Sequence, residues 1–314
     1  MARFTLVLGF LTLLQGALSN AHAAAAVMVV DAFNKKIHVA ADGNGRRPVG
    51  GLAKIVTAMV ALDWAEASGV GVNVLATVPE YAPRIAGQRS LELYPGDRLT
   101  LRDLIYATMM ESDDTAAITL GHFIGQDHLQ RLGRGGDPLI EFTRQMNQLA
   151  LREGCTGSRF TNPHGLENSR PAPYSTAADI ARLSLYAAAR PAMRFYTNQK
   201  QRNVTVYRGG GTVSVTLNNR NPLLGVDRVD GIKYAQTPLS GGCLVVTADR
   251  PASVYPQPDG SSVIYKHRLV VVVMGSGNPA GEARALLNQG WRVYEQWLSA
   301  GRPVTERNQL LPYY

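Results

Sequence analysis

The sequence is poor in the features that most quickly assign a chain to a metal, nucleotide or disulfide class. Only two cysteines, Cys155 and Cys243, occur in 314 residues, which excludes a disulfide-built scaffold. The six histidines are dispersed without metal-ligand spacing, so neither a metal nor another cofactor is expected. His164, in Asn162-Pro163-His164-Gly165-Leu166, reads as a loop residue. No glycine-rich phosphate loop and no long block of like charge is present, which leaves nucleic acid without a recognisable signature. Beyond the N-terminus no apolar run approaches the roughly 20 residues of a membrane helix, so no membrane span is expected.

What is present starts at the N-terminus. Arg3, the apolar run Phe4 to Leu14 and the small-x-small triplet Ala21-His22-Ala23 together predict a secretory signal peptide over residues 1–23. Export would place the mature protein in the periplasm or outside the cell. About 290 residues then remain, enough for one large domain. Lys and Arg number 32 against 24 Asp and Glu, and loss of Arg3 leaves 31 − 24 = +7, scattered along the chain as ordinary surface charge. In an oxidising compartment Cys155 and Cys243 can pair. The apolar setting Cys243-Leu244-Val245-Val246 equally suits a buried free thiol, and both readings stay open.

Periodicity predicts strands at Val27 to Asp31 and Lys36 to Ala40, then a helix from Leu52 with Leu52, Ile55, Val56, Met59 and Leu62 at helical spacing and Gly69 as its end. Two helices separated by a kink at Glu111 to Asp114 span Leu101 to Phe123, with the acidic residues and Ser112 there suited to cap the second. Further helices are expected at Asp137 to Arg152 and Ser175 to Ala189. Strands flank Gly209-Gly210-Gly211 as a hairpin and recur at Gly231 to Ala235, Cys243 to Thr247 and Val263 to Gly275. A closing helix, Gly281 to Ala300, carries Leu287, Trp291, Tyr294 and Leu298 on one stripe. Strands at both ends with helices between them imply one mixed α/β (α+β) domain over 24–300, followed by a short tail, 301–314.

Three strings then stand out: Gly51-Leu52-Ala53-Lys54 at a helix start, Ser112-Asp113-Asp114 between two helices, and Lys233-Tyr234-Ala235 in a strand. Serine acyl transfer with a lysine partner needs a hydroxyl one turn before the lysine, so that residues i and i+3 share a helix face. A second loop adds a hydroxyl and an amide, and an edge strand with a glycine lets a peptide approach closely. Each string alone is weak. Their order and contexts are specific.

In that order the chain resembles the low-molecular-mass penicillin-binding proteins, the D-alanyl-D-alanine carboxypeptidase (S11) family, whose motifs are S-x-x-K, S-x-N and K-T-G. The resemblance extends through Arg47 to Ile55, Gly96 to Ile105, Phe160 to Leu166, Asn219 to Leu224 and Val229 to Lys233, with Thr237, Pro238 and Gly241 beyond. It implies an antiparallel sheet flanked by helices, as in β-lactamases, and the D-Ala-D-Ala end of a peptidoglycan stem peptide as substrate. It further implies Gly51 in the nucleophile position, Lys54 in the general-base position, Ser112 in the proton-relay position and Asp114 where asparagine is usual. Lys233, Tyr234 and Ala235 fall in the substrate-binding strand. The family's further β-rich domain and C-terminal amphipathic anchor are not expected after Ala300.

Four of these positions depart from the pattern, and glycine in the nucleophile slot has no oxygen with which to form an acyl-enzyme. Asp114 offers an anion able to pair with the orphaned Lys54, and Tyr234 and Ala235 are expected to add bulk where substrate lies. The favoured reading is a pseudoenzyme that binds peptidoglycan peptide or a cell-wall protein. Two alternatives stand beside it: an active carboxypeptidase with Ser112 as substitute nucleophile, and a structural envelope protein without ligand.

Overall fold

Residues 25–311 are described by a computed structural model; the expected signal segment, 1–23, lies outside them. The antiparallel pair β1 (Ala26–Asp31) and β2 (Ile37–Ala41) comes first. A short β3 (Arg47–Pro48) and a 3-10 turn at Gly50–Leu52 lead into α1 (Ala53–Ser68), which ends on left-handed Gly69 at φ 69°. β4 (Leu75–Thr77), α2 (Ala82–Ile85) and β5 (Arg98–Thr100) follow. α3 (Leu101–Tyr106) widens into a π-helical turn at Ala107–Glu111 before α4 (Asp114–Arg131). Then come α5 (Pro138–Arg152), β6 (Tyr174–Ser175), α6 (Ala177–Ala188) and α7 (Pro191–Thr197). The hairpin β7 (Gln201–Arg208) and β8 (Gly211–Asn218) precedes β9 (Val229–Thr237), β10 (Gly241–Pro256), β11 (Ser262–Ser276) and the closing α8 (Pro279–Ser299).

A five-stranded antiparallel sheet in the order β2-β1-β11-β10-β9 carries the molecule, with helices on both faces. Strand alternation divides its side chains. Val27, Val29, Leu244, Val246, Leu269, Val271 and Val273 pack on Leu287, Trp291, Tyr294 and Trp297 of α8. Met28, Val30, Val245, Val270, Val272 and Met274 face the core shared with α1. Covering both faces explains why β1 is buried at all six positions instead of alternating with polar residues. β9 is left as an edge strand.

α1 is more buried than its predicted stripe, since Ala58, Val60 and Ala61 are covered as well as Ile55, Val56 and Met59. It is a central helix, and Lys54 is placed within it at 2% exposure. The predicted kink is real, and one of its acidic residues supplies the expected cap. Asp113, not Ser112, caps α4 by accepting from Ala116 N at 2.8 Å, and Ser112 takes the left-handed conformation that ends the π turn (φ 60°). β10 outruns its apolar core because its distal half is held by pairing with β11, where Ser253 lies opposite Tyr265, in exposed sequence without a periodic signal. Cys155 and Cys243 are both buried free thiols. In the tail, Leu311 is buried and its N–H donates to Lys35 O at 2.9 Å.

Candidate active site

Four segments meet at one cleft: the turn before α1, the loop between the π turn and α4, the loop at 162–167, and the edge strand β9. The cavity is about 380 Å³, and Gly51, Lys54, Ser112, Asp114, His164 and Ala235 are on its wall. Chain segments far apart in sequence are therefore brought together as the three strings require.

Lys54 extends from the first turn of α1 and donates to Asp114 Oδ1 at 2.6 Å and to His164 O at 2.8 Å. Both side chains of the pair are nearly sealed from solvent, at 3% and 2% exposure. The second carboxylate oxygen accepts from Gly87 N at 2.9 Å and Gln88 N at 2.8 Å. Burial alone would push the Asp114 carboxyl up; the Lys54 charge and these hydrogen bonds outweigh it and hold the group below the usual carboxylate range. The expected pairing of Asp114 with Lys54 thus forms, and two backbone donors are built around the same anion.

Lys233 is the second sealed lysine, at 1% exposure. Its Nζ lies 2.9 Å from Ser112 Oγ and 3.1 Å from each of two carbonyls, Met109 O and Tyr234 O. Desolvation, then the neighbouring Lys54 charge, lowers its pKa well below the ordinary lysine value. Next to Ser112, burial raises the Asp113 carboxyl while Leu91 N and Ala116 N hold it in place.

At position 51 the backbone is not left-handed, so conformation does not demand glycine there. A Cβ added at 51 would lie 3.2 Å from Ser112 Oγ, 3.6 Å from Lys54 Nζ and 3.1 Å from the Ala235 methyl. The first two distances are those of a side chain aimed at both polar groups. The first and the third are both tighter than ordinary packing, so the Ala235 methyl, together with the Ser112 hydroxyl, encroaches on the space a residue at 51 would need.

Tyr234 departs from expectation. It packs at the margin of the α8 cluster on the opposite face of the sheet, its hydroxyl donates to Gln236 Oε1 at 2.6 Å, and it adds no bulk to the cleft. Strand alternation is the reason: with Lys233 and Ala235 facing in, the residue between them faces out. The added bulk comes from Ala235 alone.

Sequence reasoning missed Gly87 and Gln88, whose loop gives no local sign of cradling a carboxylate 27 and 26 residues away. It also missed Glu167, whose Oε1 accepts from Thr237 Oγ1 at 2.9 Å beside the cleft. His164 does lie in a loop, yet its ring is buried and both ring nitrogens lack hydrogen-bond partners among the described residues. Burial, against the opposing pull of Asp114, lowers its pKa to about 4. A histidine that resists protonation in the fold stabilises it fully above its unfolded value near 6.5, and that stabilisation is lost as pH falls toward 4. Denaturant titrations should therefore show a loss on the order of 2 kcal/mol from this group by about pH 5. His164→Phe should flatten that window; an unchanged pH profile in the variant would count against the assignment.

Comparison with known proteins identifies the family and the fold. A family model described as D-alanyl-D-alanine carboxypeptidase, Peptidase S11, matches residues 14–254. The chain is 27% identical to D-alanyl-D-alanine carboxypeptidase DacD of Salmonella typhimurium over 293 residues, 90% of this chain and 66% of that protein. It is 26% identical to DacC of Escherichia coli over 269 residues, 82% of this chain and 59% of that protein. The chain thus spans about two thirds or less of the length of these two relatives. Among solved structures, the Streptomyces K15 DD-transpeptidase is similar at TM-score 0.69 and 23% identity, covering 86% of this chain and 97% of that one. DacD of Francisella tularensis is similar at TM-score 0.65 and 23% identity, covering 84% and 69%. At these identities the structural likeness speaks to the fold.

Proposed function

The chain belongs to the D-alanyl-D-alanine carboxypeptidase family, and on that premise we propose that it is an exported protein of peptidoglycan metabolism that binds stem-peptide ends without acyl transfer at residue 51. It is a pseudoenzyme for the family's reaction. The observation that carries this reading is the paired change at the centre of the cleft: no side chain at Gly51, and the Ala235 methyl 3.1 Å from where one would begin. A lost nucleophile in serine peptidases costs on the order of 10⁶ in turnover, so the change at 51 is sufficient by itself.

Peptide binding is supported by the strand edge. Among the described residues β9 pairs with β10 alone, and Ala235, Gln236 and Thr237 on it line the cleft, so an extended peptide would find a strand edge there to add to. Lys54 and Asp114 neutralise one another, which leaves a polar but anchored wall beside that edge. The protein works in the periplasm or outside the cell, where such peptides occur.

Calorimetric titration with a soluble pentapeptide ending in D-Ala-D-Ala tests this. Saturable binding is expected, with no release of D-alanine above buffer, and Gly51→Leu should abolish binding by filling the cleft. Absence of binding to the unmodified protein would favour a purely structural role instead, and steady D-alanine release would end the pseudoenzyme reading.

A further inference from the structure

We propose that Ser112 and Lys233 form a nucleophile–base pair that reacts with small, planar, activated acyl esters, an activity separate from peptide binding and not dependent on it. The geometry around Lys233 Nζ is the starting point. It has three polar neighbours, Met109 O, Tyr234 O and Ser112 Oγ, at 3.1, 3.1 and 2.9 Å. An ammonium would donate to all three, Ser112 Oγ included; a neutral amine has two N–H donors and one lone pair. Two carbonyls engage the two donors, because a carbonyl can only accept. The lone pair is then left for the one neighbour that can donate, the Ser112 hydroxyl. Complete burial and the absence of a carboxylate in hydrogen-bond contact with Nζ favour that neutral form.

Lys54 cannot fill this role for Ser112, since its amine is committed to Asp114 and to His164 O. Ser112 itself is held in the left-handed conformation, with its Oγ 3.2 Å from the place where a Cβ at 51 would be. A side chain at 51 would stand in front of that oxygen. Glycine leaves the approach open, but narrowly, because Ser112 is only 4% exposed and the Ala235 methyl borders the gap.

In the step proposed, Ser112 Oγ attacks the ester carbonyl as its proton passes to Lys233 Nζ. The Oγ–C bond forms, and collapse of the tetrahedral intermediate breaks the bond to the aryl oxygen. The aryl oxygen departs with the proton that Lys233 returns, which leaves the amine neutral. Water then attacks the serine ester as Lys233 takes its proton, and Lys233 passes that proton to Ser112 Oγ as the ester bond breaks, releasing the carboxylic acid and the free hydroxyl.

The probe is p-nitrophenyl acetate with the full chain. Release of p-nitrophenolate is expected together with an acetyl adduct located on Ser112 by peptide mass spectrometry. Ser112→Ala should remove the adduct, and Lys233→Met should slow its formation by roughly 10²–10⁴-fold while circular dichroism shows an intact fold. The wild-type rate should fall on acidification as Lys233 is protonated. Burial pushes that point down most, Lys54 and Arg220 push it further down, and Asp114 and Glu111 push it up. Should Lys233→Met not fold, the adduct position and the wild-type pH profile decide. An adduct elsewhere, an adduct formed equally fast without Lys233, or a rate that does not fall on acidification would overturn the proposal; a wild-type protein that gives no adduct does so too.

Discussion

Gly51→Ser combined with Ala235→Gly and Asp114→Asn is expected to raise D-alanine release from a pentapeptide at least ~10³-fold above the unmodified protein, whereas Gly51→Ser alone should give less than ~10-fold. Three physical terms set the order of these variants. Serine at 51 supplies the missing oxygen, and its Cβ would begin 3.6 Å from Lys54 Nζ, within reach of a hydroxyl–amine hydrogen bond. That same Cβ would press on the Ala235 methyl at 3.1 Å, so the serine is displaced or the strand must give unless Ala235 becomes glycine. Asp114 then matters because it engages the amine the serine needs, and an amine committed to a carboxylate is a poor proton acceptor. Tyr234 is left in place, since its ring is on the other face of the sheet. D-alanine measured by a coupled oxidase assay across the three steps would separate these terms. Full turnover from Gly51→Ser alone would show that neither the methyl nor the ion pair impedes the chemistry.

Removal of the buried anion should produce the largest loss of stability. Asp114→Ala leaves the Lys54 ammonium with only His164 O and strips Gly87 N and Gln88 N of their acceptor. Breaking a buried pair from one side costs about 3–5 kcal/mol, because the remaining charge stays desolvated. Asp114→Asn should fall between the two. One amide oxygen cannot serve Lys54 and the two backbone donors at once, and the amide's own N–H groups would face one or the other. The double variant Lys54→Met/Asp114→Leu should recover most of the loss, as apolar replacement of a buried pair is often neutral. Urea denaturation of the four proteins tests the set. A drop of less than ~1 kcal/mol for Asp114→Ala would show that the pair contributes to shape and not to stability. The triple reconstruction above will therefore be less stable than the natural chain, and its activity should be measured at low temperature.

The frame of the fold was readable wherever burial imposed a period. β1, β2, α1, α5, α6 and the hairpin around Gly209 and Gly210 lie within a few residues of their predicted spans, because each presents a face to one of the two cores. The short helices α2 and α7 and the small strands β3 to β6 were not readable, since two to seven residues carry too few apolar positions to show a period. The exposed end of β10 was missed for a related reason: its pairing with β11 is main-chain bonding, to which side-chain pattern is nearly blind. At the site, motif order identified Gly51, Lys54, Ser112, Asp114 and Lys233 as neighbours. It misjudged Tyr234, whose direction depends on the phase of the strand against its partner, with Tyr234 opposite Leu244.

By itself the sequence determined the order of motifs, the class of fold they belong to and the absence of a hydroxyl at residue 51, all of which are local identities along the chain. Tertiary structure alone decided that the Ala235 methyl borders the vacated space, that Asp114 gathers three donors, and that Lys233 turns its amine to Ser112. Those facts join residues 60 and 121 positions apart. Contacts at such separations are set by sheet register and helix packing, to which no local spacing in the sequence gives access.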